Sequence, residues 1–401
     1  MQNIFIGRQA IFDRQMEVYG YELLYREGDT EGVQVSDGDL ASSRVMLNAF
    51  MDIGLECLVG PHHAFINLTR NFFADSPSIP FEQGQVVLEL LEDLAVDEHL
   101  IQSVASLASQ GYSLALDDYE FDPRWDPLLP YISIIKVEVP AVCPDTQRDK
   151  IQSLQQQGIR LLAEKVETEE EYRLYHDLGF DYFQGYFFSR PKTVKGRRLG
   201  ENQLVIMQLL ARLNDPDIGV SELERLISQD VALSYKILKY INSAAMALPR
   251  KLDSIGQAVV YLGLQRIKAW ANLIALSRVE NKPQEILYTA LVRANMCQQL
   301  IQRSGQHNAE TAFTVGLLST LDLLLDSPLA EVLKELPLSD EIHAALLGKS
   351  GPIGEALACT LAYEFQNWEQ TSFNGLDNTT ICEIYLSSTQ KAFEFHEVLG
   401  G

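Results

Sequence analysis

At 401 residues the chain has room for two or three domains, each large enough for its own core. Its 46% apolar and 22% charged residues are ordinary for a globular protein, but the formal net charge of −23 is not. That balance argues against a nucleic-acid polymer or an anionic membrane as partner, because no Lys/Arg surplus exists to neutralise phosphates. A phosphorylated ligand stays compatible with it, held locally through metal ions and a few placed basic residues. The opening MQNIFIGRQAIF has no basic stretch leading into an apolar core, and no apolar run approaches the roughly 18 residues of a membrane helix. Cys57, Cys143, Cys297, Cys359 and Cys382 are scattered with no CxxC pair, so they read as reduced thiols of a cytoplasmic protein.

In chain order, residues 4–12 and 18–25 are apolar runs separated by the turn-like 13–15, the pattern of a hairpin. Further short runs follow at 64–67, 86–90, 113–116, 134–136 and 160–163, with amphipathic segments such as 98–110 and 169–178 between them. Strands alternating with helices predict a parallel sheet covered by helices. The number of repeats favours a closed α/β barrel, TIM-like with one antiparallel strand, and no Gly-rich phosphate loop marks a doubly wound sheet. The basic, Gly/Pro-punctuated stretch 191–200 marks a boundary: barrel domain 1–192, linker 193–201, second domain 202–401. Beyond it helical periodicity takes over. Ser221–Glu224 and Ser254–Gln257 fit capping boxes, Asp215-Pro216 and Leu248-Pro249 break helices, and Gly263, Gly305 and Gly348 sit at helix ends. The second half is predicted to be all-α, with about a dozen helices.

The chemistry of the first half lies at its strand ends. Nearly every apolar run stops at a polar residue: Glu22, Asn67, Glu89, Asp117 with Asp118, Lys136, Glu164 and Gln184. In a parallel barrel the C-terminal strand ends meet at one face, where active sites are built. Any one of these acids alone reads as well as a helix N-cap, but the whole set does not. Glu22, Asn67, Glu89 and Asp117 are oxygen donors suited to Mg²⁺, Mn²⁺ or Ca²⁺, with Asp118 beside a second ion. Two such cations activate a water and neutralise a phosphodiester. Lys136 either orients that water or forms a salt bridge inside the acidic cluster, and the two roles are compatible.

These residues fall in recognisable segments. An EAL-x-R signature stands as Glu22-Leu23-Leu24-Tyr25-Arg26, and the strand-end Asn67 lies in FINLT. ExTE is Glu89-Leu90-Leu91-Glu92, the paired aspartates are Asp117-Asp118-Tyr119, and KID is Lys136-Val137-Glu138. AEGVE is Ala163-Glu164-Lys165-Val166-Glu167, and QGY-x-F-S-x-P runs from Gln184 to Pro191. In order across the whole first half, these segments resemble EAL domains, barrels that bind cyclic di-GMP and often hydrolyse it to linear pGpG. The resemblance implies that Glu22, Asn67, Glu89 and Asp117 are metal ligands, with Asp118 supporting a second metal. It also implies that Lys136 and Glu164 serve the nucleophilic water, that Arg26 contacts ligand phosphate and that Gln184 closes the site. The chain departs from the pattern in the DDFG-x-G loop, where Glu120 and Asp122 replace both glycines, and at Lys165 and Glu138. Those glycines permit a tight backbone path, so the resemblance implies binding better preserved than turnover.

The second half carries Leu226-Ile227-Ser228-Gln229-Asp230, Ile241-Asn242-Ser243-Ala244 and a run from Ile255 to Gly263 that resemble HDOD domains. Residues 331–347 with Tyr363-Glu364 resemble the HDOD variant fused to EAL barrels. Where a metal-dependent HD enzyme carries GLLHD, this chain has Gly316-Leu317-Leu318-Ser319-Thr320, and neither Ser319 nor Thr320 is a normal ligand there. His307, His343 and His396 show no ligand spacing, and His176-Asp177 reads as an exposed surface pair. Asn242 and Ser243 read as structural hydrogen-bonders and 317–325 as core. The expectation is an EAL-like barrel using Mg²⁺ or Mn²⁺, followed by a regulatory HDOD half with no cofactor and a protein partner. Such a chain transduces a cyclic di-GMP signal, binding the nucleotide and hydrolysing it weakly if at all; EAL-type barrels commonly form homodimers. The alternatives are an active phosphodiesterase giving pGpG and a scaffold that binds no nucleotide.

Overall fold

The computed structural model describes residues 3–28, 50, 54–69, 72, 79, 81–91, 94–139, 144–185, 201–243, 248, 251–279 and 282–400. The chain divides into two compact units, Met1–Ser189 and Arg190–Gly401. The stretch 191–200 lies outside the described residues, and Glu201, placed in the linker from sequence, already belongs to the first helix of the second unit.

The first unit is a closed eight-stranded barrel in sequential order: β1 (Asn3–Asp13), β2 (Val18–Gly28), β3 (His63–Leu68), β4 (Val86–Leu90), β5 (Ser113–Leu116), β6 (Ile134–Glu138), β7 (Arg160–Glu164) and β8 (Tyr182–Phe183). Strand β1 runs antiparallel to both β2 and β8, and every other neighbour is parallel. The β1–β2 hairpin closes because Asp13 Oδ1 accepts the amides of Gln15 (2.8 Å) and Glu17 (2.9 Å), while Met16 takes the left-handed backbone at φ 64°. Described barrel helices are α1 (Leu55–Val59), α2 (Glu98–Ser109), α3 (Pro144–Gln156) and α4 (Glu169–Asp177). Asp97 caps α2 through the Leu100 amide, and Thr168 with Glu171 forms a reciprocal capping box on α4.

Side chains alternate across each strand with a period of two, so one residue in two points inward. Ile11, Phe65, Val87, Ala115, Ile134, Leu162 and Tyr182 form one buried apolar layer inside the barrel. This layer is the floor on which the polar site stands.

The second unit holds twelve α-helices among the described residues: α5 (Glu201–Leu213), α6 (Val220–Ser228), α7 (Val231–Ile241), α8 (Ile255–Leu262), α9 (Leu264–Leu276), α10 (Gln284–Arg303), α11 (Ala309–Leu318), α12 (Leu321–Leu325), α13 (Leu329–Lys334), α14 (Asp340–Gly348), α15 (Gly351–Glu364) and α16 (Asn378–Gly400). Helix α10 is central, packing on α11, α15 and α16. The apolar stretch 317–325 is core, as its composition suggests. Asn242 is structural, exchanging two 2.8 Å hydrogen bonds with the Leu252 backbone. One capping box is corrected: α6 starts at Val220 from an extended Gly219, so Ser221 lies inside the helix and caps nothing. The other forms by half, since Ser254 accepts the Gln257 amide while the Gln257 side chain accepts from Asp253. No helix among the described residues is long and apolar enough to cross a membrane.

Candidate functional site

The strand period builds the site. Each polar strand-end residue stands two positions beyond a member of the apolar floor: Asn67 after Phe65, Glu89 after Val87, Asp117 after Ala115, Lys136 after Ile134, Glu164 after Leu162, Gln184 after Tyr182. On β2 the floor position is Gly20, where a Cβ would fall 2.8 Å from the His63 carbonyl and 2.9 Å from the Phe65 ring; Glu22 stands two beyond it. One layer of side chains is therefore apolar and the next, toward the C-terminal ends, is polar.

Lys136 is the centre of that second layer and is fully buried. Its Nζ lies 2.8 Å from Glu89 Oε1, 2.8 Å from Asp117 Oδ1, 3.0 Å from Glu164 Oε1 and 3.5 Å from Glu22 Oε1. Gln184 Nε2 donates to Glu22 Oε2 at 2.7 Å and Asn67 Nδ2 to Glu22 Oε1 at 3.4 Å. The carboxylates of Glu22, Glu89 and Asp117 converge within 4.8 Å, and so do those of Asp117, Asp118 and Glu164. Asp118 joins because its backbone is left-handed, at φ 43°. Six of the sequence candidates thus gather around the ammonium of a seventh, Lys136, with Asp118 beside them. Arg26 lies in β2, but its side chain is outside those described. Glu92 and 186–191 are also outside the described residues.

Four carboxylates face one ammonium, so full ionisation would leave three uncompensated negative charges. The titration shifts follow. Burial works against the charged Lys136, but Glu89, Glu22, Glu164 and Asp117 together hold it protonated, well above its ordinary value. Burial drives Glu89 and Asp117 up, reinforced by their acidic neighbours and only partly opposed by Lys136. Glu164 is pushed up to about 8 by burial. Burial also penalises Glu22, yet Lys136 and the hydrogen bonds from Gln184 and Asn67 outweigh it and lower its pKa.

The oxygens are not saturated. Glu89 Oε2, Glu164 Oε2, Asn67 Oδ1 and Gln184 Oε1 are buried without a hydrogen-bond donor among the described residues, and Glu89 Oε1 is met by the Lys136 ammonium alone, at 2.8 Å. Buried polar atoms are normally satisfied, so each open oxygen signals a missing cationic or donor partner. All are hard oxygen donors, and the residues present fit divalent Mg²⁺, Mn²⁺ or Ca²⁺.

The loop after Asp117 follows its own path. Asp122 is extended at φ −75° and caps a short 3₁₀ turn by accepting the Arg124 amide, while Phe121 takes the left-handed backbone at φ 62°. Tyr119 and Phe121 are buried edge to face, 5.2 Å between ring centroids, and the Tyr119 amide donates to the Lys136 carbonyl at 2.9 Å. Aromatic packing fixes this loop where the family pattern uses glycine. Lys165, in a family glycine position, keeps φ 57°, and its ammonium pairs with Glu138, so two separate departures from the pattern are partners. In sequence they are two separate substitutions; adjacent β6 and β7 bring them together. Gly185 (φ 154°) is required, since a Cβ would lie 2.3 Å from the Val166 backbone.

In the helical unit, the Ser319 hydroxyl donates to Gly316 O and the Thr320 hydroxyl to Leu317 O. Beside them lies a group sequence reading missed: Arg293 of α10, buried, donates to Ser319 O and Oγ at 3.3 Å. It forms a bidentate pair with Glu364, at 2.7 and 2.6 Å. A lone arginine in the apolar run YTALVRANMC was the available signal. Metal-capable clusters among the described residues are the two in the barrel. Cys57, Cys297, Cys359 and Cys382 are free thiols, while Cys143 is outside the described residues. His176 is half-buried rather than exposed, held between Asp177 (3.7 Å) and Arg14 (3.5 Å), because it packs on Phe183.

Comparison with known proteins gives a consistent picture. The EAL domain family model matches residues 147–191 and the HDOD domain model residues 201–337. The protein named cyclic di-GMP phosphodiesterase CdgJ of Vibrio cholerae is 33% identical over 374 residues, 92% of this chain and 87% of that one. The uncharacterized protein YuxH of Bacillus subtilis is 34% identical over 398 residues, 96% of this chain and 97% of that one. Among solved structures, a Klebsiella pneumoniae BlrP1 calcium/cyclic di-GMP complex is 24% identical with a TM-score of 0.40, covering 47% of this chain and 56% of that one.

Proposed function

The chain belongs to the EAL–HDOD family, and from that membership we propose that it is a cyclic di-GMP-linked signalling protein whose barrel binds the nucleotide through divalent cations. The observation that carries this reading is the convergence of oxygen donors around Lys136: the carboxylates of Glu22, Glu89 and Asp117 lie within 4.8 Å of one another, and the buried Asn67 Oδ1 and Glu89 oxygens have no donor among the described residues beyond the Lys136 ammonium. Glu22, Asn67, Glu89 and Asp117 would hold one Mg²⁺ or Mn²⁺, with Asp118 and Glu164 toward a second, and such ions neutralise a phosphodiester and acidify a bound water. Gln184 and Asn67 orient Glu22, and Lys136 supplies the permanent positive charge at the centre. Arg26 contacts a ligand phosphate. We take the barrel domain as 1–192 and the helical domain as beginning with the helix at Glu201, the latter as the regulatory, protein-binding half.

A second reading, hydrolysis to pGpG, is favoured by the retained oxygen set with Lys136 and by the name of CdgJ, a relative across 92% of the chain. One assay separates the two. Cyclic di-GMP binding is measured with Ca²⁺, and pGpG is then sought after adding Mg²⁺ or Mn²⁺. Binding without product supports a receptor, steady product supports the phosphodiesterase, and no binding with any ion removes both.

A further inference from the structure

The helical unit contains a cavity of about 160 Å³ that the barrel chemistry does not use, walled by α7, α9, α10, α11 and α16. Its wall is aromatic. Trp270 lies 4.0 Å from Tyr240, 5.5 Å from Phe395 in a stacked arrangement and 5.9 Å from Phe313, centroid to centroid. A cavity of this size class accepts one planar ring; an engineered apolar cavity of about 150 Å³ takes up benzene.

The same cavity is not purely apolar. Asn295 is buried, its Nδ2 donates to Leu291 O at 2.9 Å, and its Oδ1 accepts from no described residue. An entering ring that carries an N–H is thereby preferred over a plain hydrocarbon ring. Half-buried Arg266 and exposed Lys391 also line the cavity, and neither is in a salt bridge among the described residues. Of the two lining acids, Glu310 is engaged by Gln298 Nε2 at 2.7 Å and Glu394 accepts from Gln390 at 3.3 Å. Arg266 and Lys391 give a phosphate two cationic donors, while Glu310 and Glu394 keep their charges but are turned to amide partners.

We infer that this cavity is a binding site for a mononucleotide, its base against Trp270 and Phe395 with an N–H to Asn295 Oδ1, and its phosphate at Arg266 and Lys391 outside the aromatic wall. The volume holds the base alone, which leaves the sugar and phosphate at the opening. Every nucleobase has a π-face, so an aromatic wall takes up any of the four bases.

The test uses the full chain carrying Glu22→Ala, in EDTA, so that neither the barrel carboxylate nor its cations can contribute. AMP, GMP, CMP and UMP are titrated by calorimetry. Saturable binding of at least one of them is expected, weakened at least about tenfold by Arg266→Gln and by Asn295→Leu. Thermal midpoints control for folding, and Arg266→Gln decides if Asn295→Leu is destabilised. No binding of any of the four overturns the assignment. So does binding that survives Arg266→Gln, or binding seen only in the chain with Glu22 intact.

Discussion

The two halves of this protein each bury a basic residue among acids, and they resolve it in opposite ways. In the helical unit Arg293 meets Glu364 with both ends of its guanidinium aligned, and Ser319 takes a further N–H. Charge and hydrogen bonds close on themselves. In the barrel Lys136 faces four carboxylates, several oxygens have no donor among the described residues, and Glu89, Asp117 and Glu164 hold protons to unusually high pH while Glu22 stays ionised. A buried pair that is balanced and aligned is architecture, whereas a buried cluster left unbalanced is ready for a ligand that brings the missing charge.

The largest expected effect breaks the balanced pair. Arg293→Met should cost about 3–5 kcal/mol in a denaturant titration, because it strands Glu364, and adding Glu364→Gln should recover most of that loss. A loss below about 1 kcal/mol would mean that the pair is not holding α10 to α15. Next is Glu22→Ala, expected to weaken cation-dependent cyclic di-GMP binding more than about 100-fold by calorimetry while leaving the folded chain intact. Retained affinity would mean that Glu22 is not a ligand of the ion site.

Proton linkage sharpens the contrast. Glu164 is raised from its ordinary 4.5 to about 8, so between those values the folded, metal-free chain binds a proton that the unfolded chain has released. Stability in EDTA should therefore fall as pH rises through that window, and Glu164→Gln should flatten the slope. Ligation requires the carboxylate, so apparent affinity for Mn²⁺ should rise over the same range, approaching tenfold per pH unit below about 8 and levelling above it. Affinity independent of pH from 6 to about 8 would remove Glu164 from the ion site. The smallest effect belongs to Lys165→Gly. It relieves a left-handed backbone but removes a pair whose lysine is 62% exposed, so net stability should move by no more than about 1 kcal/mol. A larger loss on urea unfolding would make the Lys165–Glu138 pair a structural clamp.

Much of the barrel was legible because its information is local. A two-residue period, a hairpin at 13–17 and polar residues at strand ends are all carried by neighbouring letters, and they placed Asn67, Glu89, Asp117, Lys136 and Glu164 on one inward face. The capping box read at Ser221 failed because an extended Gly219 upstream starts the helix two residues earlier than the motif suggests. Other features join residues far apart. Arg293 and Glu364 are 71 positions apart, and their two helices must pack before either shows its partner. The cavity beside Trp270 draws its wall from five helices, so no motif announces it.

The sequence by itself determined the fold class, the oxygen-rich donor set and the replacement of the HD dyad by Ser319-Thr320, because residue type and period suffice for these. Tertiary structure alone decided that Lys136 is, among the described residues, the counter-charge shared by four acids, and that Lys165 answers Glu138. It likewise put Arg293 beside Ser319. Charge balance in a buried site is a sum over neighbours in space, and chain order does not contain that sum until the barrel closes and the helices pack.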